Sequence, residues 1–241
     1  MTPRQLLDSG RLNDALQALT AEVRDNPTDA QRRTFLFELL CFAGEHARAE
    51  KHLDVLSQEN QSASLGALLY RAALHAERLR HDMFAKKEYP AETAERAAET
   101  PKSGLLNGAA FQTFIDADPR IGTRLEVFAA GSYLWIPFEH IESIDIPPPQ
   151  RLRDLLWAPA TVKTGPTFQE RELGELFIPA LSPFSWKHPE DPVRLGRLTV
   201  WESNELGGAV PFGQKLFLVD DEEVPVLELR SLRFTQDAGT A

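Results

Sequence analysis

Cysteine occurs once in the 241 residues, at Cys41. One thiol excludes an intrachain disulfide and any cluster held by several thiolates, so the fold must rest on packing. Long apolar runs are missing too. The longest, from Phe35 to Ala43, is interrupted by Glu38 and falls well short of the about 20 residues that span a bilayer. The opening stretch MTPRQLLDSG has no apolar signal-peptide core, so a cytoplasmic location with no membrane partner is the expectation. Basic charge is scarce, with 26 Lys and Arg against 36 Asp and Glu. The imbalance is lopsided: residues 1–104 hold fourteen basic and sixteen acidic side chains, residues 105–241 twelve and twenty. An acidic half repels phosphate backbones, and with no local basic patch nucleic acid is not an expected partner.

Catalytic signatures are equally sparse. The chain has no Walker loop, no GxSxG and no HExxH. His46 with Glu50, and Glu77 with His81, are each four apart and share helix faces, but no further ligand converges on either pair, so no metal is expected. Gly207-Gly208 lacks the spacing of a dinucleotide loop. Asp116 and Asp118 flank a turn in FIDADPRIG; an Asp directly before Pro119 reads as a cap, with Asp116 bonding nearby backbone, rather than as an acid–base pair. Cys41 has no adjacent base and reads as a packed or groove-lining thiol. No catalytic residue and no cofactor is assigned.

The first half carries a repeat. LLDSGRLNDALQAL overlays LLCFAGEHARAEKHL at a shift of 34, matching Gly10 with Gly44, Ala15 with Ala49 and Leu19 with Leu53. This is the tetratricopeptide period, in which a glycine permits the tight turn between paired helices and a small residue lets them approach closely. The register predicts helices near 2–9, 12–25, 28–43, 45–58 and 62–84, with Thr28 or Asp29 capping the third. Two clean repeats are few for such an array, so the second half is expected to cap them.

Residues 86–104 are polar and bounded by Pro90 and Pro101, a linker or a short helix over Ala91–Glu99. Beyond Arg124 the pattern turns to short apolar runs: RLEVFA, YLWIPF and HIESIDI, then 155–163, 174–180, 196–202, 214–219 and 224–234. Tyr133 to Ile136 is apolar on both faces, which predicts a central, doubly covered strand. The expected fold is therefore α+β. A TPR-like α-α superhelix of about five helices spans 1–85, and a β-rich, antiparallel, partly barrel-like domain spans 105–236.

The ordered motifs ADPRIG, YLWIPF, IDIPPP and LRDLLWAPA, together with the helical repeats, resemble the ImpE family, also called TagJ, of type VI secretion accessory proteins. The resemblance implies a non-enzymatic adaptor. It would bind an N-terminal amphipathic helix of the small contractile-sheath subunit and link the sheath to its AAA+ disassembly ATPase. Members carry an extra stretch of about one helical repeat that residues 85–110 here are too short to hold. The repeat register places Gln31, Thr34, Glu38 and Cys41 on the concave side, with Leu68 and Ala72 from the third unit, as candidate partner-binding residues. Charge reversal at Glu38 together with Thr34→Arg is expected to weaken binding and leave the thermal melt unchanged. Two other readings stay open: a tetratricopeptide scaffold of another cytoplasmic assembly, and an enzyme using Asp116, Asp118 or His140 in the β half.

Overall fold

A computed structural model of the chain describes residues 1–90, 102–165, 175–203 and 208–235. The expected helix over Ala91–Glu99 lies outside the described residues, as does the Gly207 of the Gly-Gly pair. Five helices occupy the first part: α1 (Pro3–Asp8), α2 (Leu12–Asp25), α3 (Ala30–Phe42), α4 (His46–Leu56) and α5 (Gln61–Lys86). Thr2 and Gln5 form a reciprocal capping box ahead of α1, Asp29 caps α3 through the Arg32 amide, and Asn60 caps α5 through the Ala63 amide. In α2 the buried residues Leu12, Ala15, Leu16, Leu19 and Val23 follow helical spacing. The second half of α3 is different: every residue from Leu36 to Phe42 is buried, because α2 and α4 flank it and Trp157 packs on Phe37.

The 34-residue correspondence holds in three dimensions. Gly10 and Gly44 both adopt left-handed backbone, at φ 79° and 71°, and each turns the chain from one helix into the next. Ala15 and Ala49, one turn into the following helices, are both fully buried. The fifth helix departs from the pattern. It runs 26 residues, and among the described residues no sixth helix pairs with it; α5 instead lies on two strands, β4 (Arg124–Ala129) and β5 (Ser132–Pro137).

The remaining strands are β1 (Gly104–Leu106), β2 (Ala109–Phe111), β3 (Phe114–Asp116), β6 (Ile141–Asp145), β7 (Trp157–Thr164), β8 (Glu175–Pro179), β9 (Val200–Ser203), β10 (Ala209–Phe212), β11 (Leu216–Val219), β12 (Glu222–Pro225) and β13 (Ser231–Phe234). Eight form one antiparallel sheet in the order β2-β1-β13-β6-β7-β8-β4-β5. A three-stranded sheet, β12-β11-β3, and a β10-β9 pair complete the set. The large sheet is open, ending at β2 and β5, so the barrel-like closure expected from sequence is not formed. Closure is not needed to bury the sheet: helices cover one face, while Phe114 and Phe217 of the small sheet interlock with Phe138 on the other.

The YLWIPF strand also differs from expectation. It is β5, an edge strand with Leu134 40% exposed, not a central one. Its double apolar character has another cause: Trp135 reaches the Phe84 ring of α5 at 6.0 Å, while Ile136 enters the core between the two sheets. The strand buried along its whole length is its neighbour β4.

One hydrophobic core joins the helices to the sheet, since Phe128, Trp157, Leu181 and Leu195 cluster with the residues of α1 to α5. The loop after β8 also clasps the helical turns. Arg197 donates to the Leu7 and Asp8 carbonyls at the end of α1, at 2.8 and 2.9 Å. Asp191 accepts from the Asn13 amide, and Trp186 covers Gly44 so closely that a Cβ there would sit 2.3 Å from the indole. The second half thus caps the helix pairs, as the shortage of repeats required.

Candidate functional site

Two adjoining cavities, of about 390 Å³ and about 810 Å³, share Leu69, Tyr70 and Arg151 as common wall and are the two parts of one candidate groove. The larger part runs between α3 and the N-terminal half of α5. Gln31, Thr34, Phe35 and Phe37 form its α3 side, Ala63, Gly66 and Ala67 its α5 side, and Leu53 and Leu56 of α4 contribute apolar lining. Gly66 has nothing within 4 Å of where a Cβ would stand, so the α5 wall is open at that point.

The groove is held in shape by the segment before β7. Arg153 donates to Glu38 at 2.8 Å and lays its guanidinium 4.7 Å from the centre of the Tyr70 ring. Burial raises the Glu38 pKa, and Arg153 opposes that shift. Asp154 accepts from the Gln150 and Arg151 amides, both at 2.9 Å, which fixes the turn that carries both arginines. Trp157 donates to Glu77 at 3.0 Å and stacks 6.1 Å from Tyr70.

Three of the six residues proposed from sequence meet in the larger part: Gln31, Thr34 and Glu38. Ala72 lines the smaller part instead, and Leu68 is exposed on α5 outside both. Cys41 faces away. It is buried against a small void of about 30 Å³ beside His46, Glu77 and Trp186, and burial pushes its thiol pKa up, so it is neither a thiolate nor a groove contact. Glu38 does line the groove, but as the buried partner of Arg153 rather than as an open carboxylate. Among the groove residues missed by sequence are Phe35, Gly66, Tyr70 and Arg151. Only the pairing of α3 with α5 brings them together, and 34-residue periodicity does not report on a helix that breaks the repeat.

The carboxylates of FIDADPRIG do work as turn-formers. Asp116 accepts from the Asp118 amide at 2.9 Å, Asp118 from the Arg120 amide at 3.0 Å, and Gly122 closes the loop at φ 64°. Asp118 heads no helix of its own; it also holds the Arg120 side chain, whose guanidinium sits 4.8 Å from the Phe84 ring centre of α5. Asp116 goes further, because it ion-pairs with the buried Lys215, which also contacts Glu126 at 2.7 Å. Glu126 in turn is gripped by Arg80, and Arg80 contacts Glu77 at 3.3 Å. The result is a buried chain of alternating charge from the small sheet through β4 to α5. None of Asp116, Asp118 and His140 lines any of the three cavities described. Among the described residues no group of three or more His, Cys, Asp or Glu is arranged to hold a metal ion, and no helix is long and apolar enough to cross a membrane.

Comparison with known proteins gives the family. The profile of the family described as ImpE protein matches residues 108–233, more than half of the chain. The type VI secretion system accessory component TagJ of Pseudomonas aeruginosa is 33% identical over 264 aligned positions, covering 97% of this chain and 91% of that protein. This chain belongs to the ImpE family. Because the alignment with the Pseudomonas relative is longer than the 241 residues here, that relative carries residues this ImpE chain lacks. An X-ray crystal structure of a Vibrio parahaemolyticus protein superposes with a TM-score of 0.84 over 99% of both chains at 23% identity, which supports the fold alone. The motifs quoted for the resemblance sit at the joint between helices and sheet: Arg120 of ADPRIG on Phe84, Trp135 of YLWIPF beside it, Pro147 and Pro148 of IDIPPP in the groove wall, and Arg153 and Trp157 of LRDLLWAPA on Glu38 and Glu77.

Proposed function

We propose that this protein is an accessory component of a bacterial type VI secretion system that acts by binding, without catalysis. Its ligand is the N-terminal amphipathic helix of the small contractile-sheath subunit. By holding that helix it links the sheath to the AAA+ ATPase that disassembles it. The supporting observation is the groove of about 810 Å³ between α3 and α5, lined by Phe35, Phe37, Leu53, Gly66, Ala67 and Tyr70. Such a lining suits a helix that presents apolar residues one turn apart, with the polar rim at Gln31, Thr34 and Asn60 fixing its orientation. The helix pairs α1–α2 and α3–α4 are read as tetratricopeptide-like units whose concave side is this groove. The relationship to the Pseudomonas accessory component supports the secretion setting.

The test is co-purification of the small sheath subunit with the wild-type protein and with Thr34→Arg, which places a long cation in the groove from a half-buried position. The reading expects capture by the wild type and loss of capture by the variant at an unchanged melting temperature. Equal capture by both would remove this groove from consideration.

A further inference from the structure

The smaller part of the groove calls for a different kind of guest. Its walls are Tyr70 of α5, Phe128 of β4, Phe177 of β8, and Pro147 and Pro148, with Arg151 at the junction with the larger part. The cleft, of about 390 Å³, adjoins the larger part at the wall of Leu69, Tyr70 and Arg151, so a chain leaving the helix-binding part passes directly into it. Its outer side is closed by the β4–β5 turn, where Gly131 lies against Ala72. The Asp154 carboxylate is already committed to the Gln150 and Arg151 amides, and the Arg151 guanidinium makes no ion pair among the described residues. Arg151 is exposed and stands where the two parts meet.

We infer that this cleft is a second subsite for the same partner. It takes the extended segment that follows the partner's helix: an apolar side chain enters between Tyr70, Phe128 and Phe177, and a carboxylate of the segment pairs with Arg151. The shared wall of Leu69, Tyr70 and Arg151 makes helix and segment one continuous ligand, and this rests on the helix-binding reading above. Tethering makes the second contact intramolecular once the helix is seated, so even a weak subsite strengthens the whole.

The experiment compares two synthetic peptides from the small sheath subunit by fluorescence anisotropy: the N-terminal helix alone, and the helix extended by its following residues. The protein is used as wild type, Thr161→Trp and Arg151→Glu. Thr161 is an exposed residue of β7 that lines the cleft, so the tryptophan fills the subsite without entering the core. The extended peptide is expected to bind the wild type about ten-fold more tightly than the helix alone. Thr161→Trp and Arg151→Glu should each erase that gain, while Thr161→Trp leaves the affinity for the short peptide unchanged. Equal affinities of the two peptides for the wild type, or a gain that survives Thr161→Trp, would overturn the subsite while the helix groove stands. If neither peptide binds the wild type, the helix-groove reading fails first and the subsite falls with it.

Discussion

Arg80 holds Glu126 by two hydrogen bonds, Nε to Oε1 at 2.8 Å and Nη2 to Oε2 at 3.0 Å, with side-chain exposures of 1% and 0%. One residue is on α5 and the other on β4, so the bidentate pair is a pin between the helical array and the sheet. Arg80 also donates to the Leu181 carbonyl at 3.0 Å, which draws the loop after β8 to the same point. Removing one member of a buried pair leaves the other charge without its counterion in a dry site. Arg80→Ala should therefore cost about 3–5 kcal/mol in urea unfolding, far more than an exposed pair such as Arg24 with Asp25, whose loss should cost under about 1 kcal/mol.

The same chain of charges gives a pH dependence with two opposite arms. Burial raises the Glu126 pKa, but Arg80 and Lys215 outweigh it and bring it from 4.5 to about 2. Stability from Glu126 is thus present above pH 4.5 and lost as pH falls towards 2. Asp116 behaves the other way: burial dominates over the Lys215 charge and raises it from 3.8 to about 7. The folded state then binds a proton the unfolded chain has released, so this group lowers stability as pH rises from near 4 to near 7, by at most about 1.4 kcal/mol per pH unit. Urea midpoints measured from pH 4 to 8 should fall less steeply for Asp116→Asn than for the wild type. Parallel curves would show that Asp116 does not titrate in that window.

Gly10 and Gly44 occupy equivalent repeat positions but should not respond alike to alanine. Both carry positive φ, which alone costs a side chain about 1–2 kcal/mol. At Gly10 a Cβ would meet nothing nearer than 3.7 Å, whereas at Gly44 it would lie 2.3 Å from the Trp186 ring. Gly44→Ala should lose about 1–3 kcal/mol more than Gly10→Ala, and pairing it with Trp186→Ala should remove the excess. Thermal melts of the three variants decide this.

Glu38 shows where position on a helix face is insufficient. The repeat register put it in the groove, and it lines the groove, yet its buried pairing with Arg153 makes it part of the wall. The sequence suggested an unchanged melt for charge reversal at Glu38 combined with Thr34→Arg; the buried pair leads us to expect a lowered one. Glu38→Lys should destabilise by about 3 kcal/mol or more, and Arg153→Glu in the same chain should restore part of the loss.

Local features were legible in the sequence because local physics fixes them. The glycine turns, the Asp29 cap and the strand of RLEVFA each depend on residues within a few positions. What escaped was set by contacts distant in sequence. Strands β1 to β3 are three residues each, too short for a period to register. The edge position of β5 follows from its pairing with β4 alone, and the burial of Lys215 depends on acids about 90 and 100 residues earlier in the chain, of which only Asp116 drew notice. In the candidate site, the α3 contribution followed from the repeat, while the α5 and Arg151 contributions follow only from the way the sheet seats the last helix.

The claim on which the rest depends is that a partner helix lies between α3 and α5. Site-specific photo-crosslinking addresses it directly, with a benzophenone amino acid placed at Thr34 or at Gly66 in the groove and at Ala47, an exposed position of α4, as control. Crosslinks from positions 34 and 66, but not 47, to the N-terminal helix of the small sheath subunit are the predicted result. Crosslinks to that subunit from position 47 alone, or to parts of it other than the helix, would contradict the account.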